Sequence, residues 1–175
     1  MYKQLLQKID LHVTKVLTRY SKEVACKSGC ADCCVMGINV WRVEHENISE
    51  FLKLSMGNFQ PSAKRDRCLF LNNEDRCSIY LVRPVVCRMW GAPTLFSSGG
   101  DVELPNVDDI SQRLTSDKGT LTCCHKNFTT KGVLEKIKEE DLINIDLVLT
   151  TLAAINYVYC KKYGFDPTER FRLFR

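Results

Sequence analysis

Nine of the ten cysteines in this 175-residue chain fall in clusters suited to metal ligation. Cys26, Cys30, Cys33 and Cys34 form a C-x3-C-x2-C-C array. Cys68, Cys77 and Cys87 follow at wider spacing, and Cys123-Cys124-His125 comes later. Thiolates bound to one zinc or iron must converge from several directions, at about 2.3 Å in the case of zinc. Closely spaced cysteines on a turn supply two or three ligands from one segment, and a second segment closes the site. The first array and the Cys68–Cys87 stretch are natural halves of such a site. Seven thiols exceed one four-coordinate centre. Either some bridge or lie outside the coordination sphere, or Cys123 or Cys124 adds an eighth thiolate and two sites exist. All-sulfur ligation favours zinc or iron over magnesium or calcium.

Disulfides are the competing use of cysteine. The adjacent pairs Cys33-Cys34 and Cys123-Cys124 suit them poorly, because neighbouring Cα atoms are about 3.8 Å apart and a disulfide usually spans about 4.4–6.8 Å. The first ten residues, MYKQLLQKID, have no apolar core and no small-residue cleavage site, so they do not read as a secretory signal. The longest uncharged, mostly apolar run, Leu147 to Cys160, has 14 residues, against the roughly 20 that span a bilayer. A cytoplasmic protein without a membrane partner is expected, and there clustered cysteines point to metal or catalysis. Cys160, on an apolar helical face, reads as a buried, inert thiol.

The charged neighbours of Cys87 fit the same chemistry. Arg83-Pro84-Val85-Val86-Cys87-Arg88 sets two guanidinium groups about one ligand. Four thiolates on a divalent ion leave a net charge of about −2, which cations offset, and arginine can hydrogen-bond to sulfur and tune the centre. Arg83 and Arg88 are therefore the candidate cofactor-binding residues.

The elements that must position these residues read mostly as helices. Leu6, Ile9, Val13, Val16, Leu17, Tyr20 and Val24 share one helical face over residues 2–25, with Lys3, Lys8, Lys15 and Arg19 away from it. Ile38–Trp41 reads as a short extended piece and Glu44–Met56 as a second helix. A polar linker over 57–67 leads to Cys68-Leu-Phe-Leu, a strand candidate, and Asn72-Asn-Glu-Asp is turn chemistry. Ile79–Val82 reads as one helical turn. Residues 91–120, with Gly99-Gly100 and two prolines, read as a long loop carrying one short helix near Asp109–Leu114. Val133–Lys138 and Leu142–Tyr163 are helical, the latter stopped by Gly164. The basic, aromatic tail reads as an ordinary mobile terminus. The expected fold is mainly α: one domain over 1–175, with helices packed around an irregular cysteine-rich metal-binding core at 26–90 and a helical C-terminal part at 131–164.

The segment from Cys26 to Trp90 resembles the CxxCxxCC zinc- or iron-chelating domain, also called the YkgJ-type cysteine cluster family. The resemblance is carried by the C26-x3-C30-x2-C33-C34 array and by "CLFLNNEDRCSIYLVRPVVCRMW", in which Cys68, Leu69, Phe70, Leu71, Cys77, Ile79, Tyr80, Arg83, Pro84, Cys87 and Arg88 match position by position. It implies bound zinc or iron, including an iron–sulfur centre such as [4Fe–4S]. The family also contains larger proteins described as flagellin lysine N-methylases, so the resemblance allows an iron–sulfur-dependent enzyme acting with S-adenosylmethionine. Cys123-Cys124-His125 lies outside it.

Other classes find less support. C-x3-C-x2-C is also the spacing of radical S-adenosylmethionine enzymes, but no series of alternating strands and helices is present to build their barrel. A zinc-stabilised protein- or nucleic-acid-binding module is the plainer alternative. A net charge of +4 without a basic stripe outside residues 170–175 gives little ground for nucleic acid. No thioredoxin-like pattern surrounds Cys30-Ala-Asp-Cys33. His12 and His45 read as ordinary helical residues. No catalytic residue can be named, and whether the chain is an enzyme is left open by its residues.

Overall fold

The computed structural model describes residues 1–34, 38–55, 67–97 and 111–173. They form two compact units. The first comprises Lys3–Cys26 and Val85–Thr151, with Met1. The second comprises Lys27–Pro84 and Leu152–Arg175, with Tyr2.

In the first unit, helix α1 (Tyr2–Arg19) buries Leu6, Ile9 and Val16 and leaves Lys3, Lys8 and Lys15 exposed, as the apolar spacing predicts. A short helix, α3 (Val85–Met89), follows Pro84. Strands β2 (Thr94–Phe96), β3 (Ser111–Ser116), β4 (Gly119–Cys124) and β5 (Ile143–Asn144) make one sheet in the order β3-β4-β2-β5. β3 and β4 are a hairpin, β4 runs antiparallel to β2, and β2 runs parallel to β5. Gly119 closes the hairpin with φ +124°, and a Cβ there would lie 2.1 Å from the Phe96 carbonyl oxygen, so only glycine lets β2 and the turn approach.

In the second unit, β1 (Asn39–Trp41) pairs antiparallel with β6 (Arg170–Arg172). Helix α2 (Arg42–Leu54) follows β1, and α4 (Ile145–Tyr163) contributes its part from Leu152 onward. Asn156, fully buried on α4, accepts from the Val43 N–H at 3.1 Å and donates to the Pro167 carbonyl at 3.0 Å. The core of this unit is Ile48, Phe70 and Ile79, with Cys68 and Cys77 packed against it. Cys160 is fully buried.

The mainly α expectation is corrected: four α-helices are accompanied, among the described residues, by six strands in two sheets, a mixed α/β fold. The hairpin escaped because SQRLTS and GTLTCC have few apolar residues and make cross-strand contact through threonines, with the Thr115 and Thr120 hydroxyls 3.4 Å apart. Residues 111–114 of the expected 109–114 helix are strand, and 109–110 lie outside the described residues. The linker expected over 57–67 also lies outside them, save Arg67. Cys68–Leu71 is a turn with one bridge, Leu71 to Cys77, rather than a strand. The tail is not free but supplies β6. No helix among the described residues is long and apolar enough to cross a membrane.

The ion pair of Arg19 with Asp141 ties the end of α1 into its unit. Asp141 is fully buried, accepting from Arg19 and from the Tyr20 hydroxyl at 3.0 Å. Burial pushes the Asp141 carboxyl up, but the hydrogen bonds from Arg19 and Tyr20 and the arginine charge outweigh it and hold the group below its usual range. Its stabilisation is thus present above the unfolded carboxyl value of about 3.9 and is lost as pH falls through the folded one. Asp141→Ala should cost about 2–3 kcal/mol at pH 7. Denaturant midpoints of mutant and wild type should draw together below about pH 4.

Candidate metal centre

The C-x2-C-C loop and the Cys68 turn are docked on each other in the second unit. The Cys68 N–H donates to the Cys34 carbonyl at 3.1 Å, and the Arg67 guanidinium donates to the Ala31 carbonyl at 2.8 Å. Two segments more than thirty positions apart in sequence are thereby held beside one another by one backbone hydrogen bond and one arginine side chain. The loop itself turns at Gly29, φ +85°, with Cys30 N–H returning to Lys27 O and Cys34 N–H to Ala31 O.

Cys68 and Cys77 share a local design. Each opens a turn in which the N–H three residues on returns to its carbonyl: Leu71 to Cys68 at 3.1 Å, Tyr80 to Cys77 at 3.3 Å. Backbone N–H groups then face the sulfur, those of Phe70 and Leu71 at Cys68 and that of Ile79 at Cys77. Asn72 fixes the intervening turn, its side-chain oxygen accepting from the Glu74 and Arg76 N–H groups. Burial pushes the Cys68 thiol up to about 11, with the nearby sulfurs of Cys77 and Cys33 adding to the shift and the backbone donors opposing it. Cys77 is also raised by burial, against the pull of the Ile79 N–H and the Arg83 charge. Cys33, Cys68 and Cys77 are therefore electrostatic neighbours. Arg83 stacks on the Tyr80 ring, 3.6 Å from its centroid, on the Cys77 side.

The first unit holds the remaining thiols of the motif. Cys87 lies on α3 and Cys26 closes the segment after α1. Arg88 is buried and pairs with Asp10 at 2.5 Å. Cys26, exposed, is hydrogen-bonded through its sulfur to Cys124 at the end of β4. Asn127, fully buried, organises this corner. It donates to the Cys26 sulfur at 3.3 Å and to the Gly91 carbonyl at 2.7 Å, and accepts from the Ala25 N–H at 2.9 Å. Gly91, φ +98°, leaves the space: a Cβ there would stand 3.1 Å from the Cys26 sulfur and 3.4 Å from the Asn127 amide nitrogen. Cys123 and Cys124 both line a cavity of about 40 Å³ with Trp90, Gly91 and Thr122. Cys123, on the opposite strand face, packs with Phe128 and Ile137.

Residues 25–103 match the CxxCxxCC family model, described as "Putative zinc- or iron-chelating domain". No curated protein and no solved structure matches the chain. The CxxCxxCC match runs from the residue before Cys26 to beyond Cys87 and takes in Arg83 and Arg88, but not Cys123 or Cys124. Among the described residues no three His, Cys, Asp or Glu side chains already sit at mutual metal-binding range. The donor chemistry of the CxxCxxCC segment nevertheless fits zinc or iron: soft sulfur, backbone N–H groups aimed at it, and Arg83 as a nearby cation. Asn127 and Gly91 were missed by sequence reasoning. The one available signal was a glycine directly after the Cys87–Trp90 stretch.

Asn127→Ala leaves the buried Gly91 carbonyl without its partner and removes the acceptor of the solvent-accessible Ala25 N–H. It should cost about 1–3 kcal/mol in unfolding measurements.

Proposed function

We propose that this chain chelates a thiophilic metal, zinc or iron, through the thiolates of Cys26, Cys30, Cys33, Cys34, Cys68, Cys77 and Cys87. The observation that carries the reading is the docking of the C-x2-C-C loop onto the Cys68 turn, through the Cys68 N–H at 3.1 Å and the Arg67 guanidinium at 2.8 Å, together with the N–H groups aimed at the sulfurs of Cys68 and Cys77. Hydrogen bonds to a sulfur stabilise its anionic form, and here they come from backbone already held by turns. Arg83 offsets charge that accumulates as the thiols ionise. Arg88, tied to Asp10, holds α3 and with it Cys87. Such packing suits a reducing, cytoplasmic setting, in which the thiols stay available.

Zinc at a closed thiolate site supplies folding energy; an iron–sulfur centre at the same residues supports electron transfer or redox sensing. Purification without oxygen separates these roles. Stoichiometric zinc in a colourless protein that unfolds with chelator identifies the structural role, and a brown protein bleached by dithionite identifies the redox role. In either case Cys33→Ser and Cys77→Ser should lose most of the metal measured in the wild type. Wild-type metal content in Cys33→Ser, Cys77→Ser and Cys87→Ser alike would refute the ligand set.

The proton balance gives a second check. With Cys68 near 11 and Cys77 raised, both thiols are protonated in the metal-free chain at pH 7. Each must release its proton to bind, so affinity should rise with pH and fall in acid. Zinc titrations in buffers of different ionisation enthalpy should report release of more than one proton per ion at pH 7. Release of none would contradict thiol ligation.

A further inference from the structure

Cys124 repeats the design of Cys68 and Cys77. The Asn127 N–H returns to the Cys124 carbonyl at 3.0 Å, as Leu71 does to Cys68. The Lys126 and Asn127 N–H groups face the Cys124 sulfur, as those of Phe70 and Leu71 face Cys68. A sulfur with donors two and three residues on is prepared to carry negative charge. Its partner is the Cys26 sulfur, the first thiol of the CxxCxxCC array, itself steadied by the Asn127 amide at 3.3 Å. Cys123 has none of this. Its side chain packs with Phe128 and Ile137, its sulfur approaches the Asn127 carbonyl at 4.0 Å, and strand alternation turns it to the other face.

We infer that Cys124 is a metal ligand acting with Cys26, contributed from outside the CxxCxxCC segment, and that Cys123 is a packing residue. The inference rests on the chelation reading above, and it draws a ligand from the β3–β4 hairpin of the unit that also holds Cys26, a part of the chain that the family match does not reach. It also gives Asn127 a role: it positions the Cys26 sulfur toward Cys124 by closing both remaining directions, through Gly91 and Ala25.

The test compares full-length wild type, Cys124→Ser, Cys123→Ser and Cys68→Ser, purified without oxygen. Zinc and iron are measured, and thiolate-to-cobalt charge-transfer absorption is recorded after cobalt substitution. Cys124→Ser should lose metal, or lose one thiolate's share of the cobalt band, while Cys123→Ser keeps both at wild-type levels. If Cys68→Ser loses metal and Cys124→Ser keeps wild-type metal and absorption, the inference fails and the chelation reading stands. If Cys68→Ser and Cys77→Ser also keep their metal, the chelation reading itself fails. Should Cys124→Ser not fold, the wild-type chain still decides. Its Cys124 Cβ resonance should shift when zinc is added to the metal-free protein, and that of Cys123 should stay. An unmoved Cys124 resonance overturns the assignment.

Discussion

Sulfurs gathered near one another repel as soon as more than one is ionised, and a partly buried sulfur is also poorly hydrated. The structure around the cysteines answers that constraint with rigid backbone dipoles. The turns at Cys68 and Cys77 aim N–H groups at sulfur, and each turn is closed by its own internal hydrogen bond. These donors lose no side-chain entropy on binding, because the fold has already fixed them. The apolar cluster of Ile48, Phe70 and Ile79 then serves a second purpose. It packs directly against Cys68 and Cys77, holding the turns in place and raising the cost of leaving their thiolates unpaired. Stability and the proposed chelation thus draw on the same residues. Phe70 illustrates the overlap: its ring is in the core while its N–H faces sulfur.

The helical part of the fold was legible because it obeys a simple period. α1 and α2 follow apolar spacing closely, α4 is legible as a long apolar run ended by Gly164, and the turn before Pro84 and the Asn72 turn follow from local chemistry. The sheet was not legible, for two physical reasons. The β3–β4 hairpin carries polar β-branched and small residues, whose preference for strands is weaker than the loop signal of the surrounding glycines and prolines. β2, β5 and β6 are only two or three residues long and exist through pairing with distant segments, which no local window contains.

The cysteine array could be read from spacing, since close thiols on turns have few other uses inside cells. Its supports could not. Asn127 joins Ala25, Cys26 and Gly91, and an isolated asparagine carries no pattern that announces three partners. The distinction between Cys123 and Cys124 is different. It follows from strand alternation alone and becomes visible once residues 119–124 are known to be a strand.

The pairing of β1 with β6 has a consequence for synthesis. Trp41 and Arg170, in register across the two strands, are about 130 positions apart along the chain. At about 5–20 residues per second, the ribosome releases the C-x3-C-x2-C-C loop many seconds before the strand that will lie beside β1. During that interval β1, immediately downstream of the loop, has an open edge and the thiols are already in solution. The nascent chain therefore meets the cell's metal and redox buffers before its own fold is complete, and early capture of an ion would shorten the search that remains.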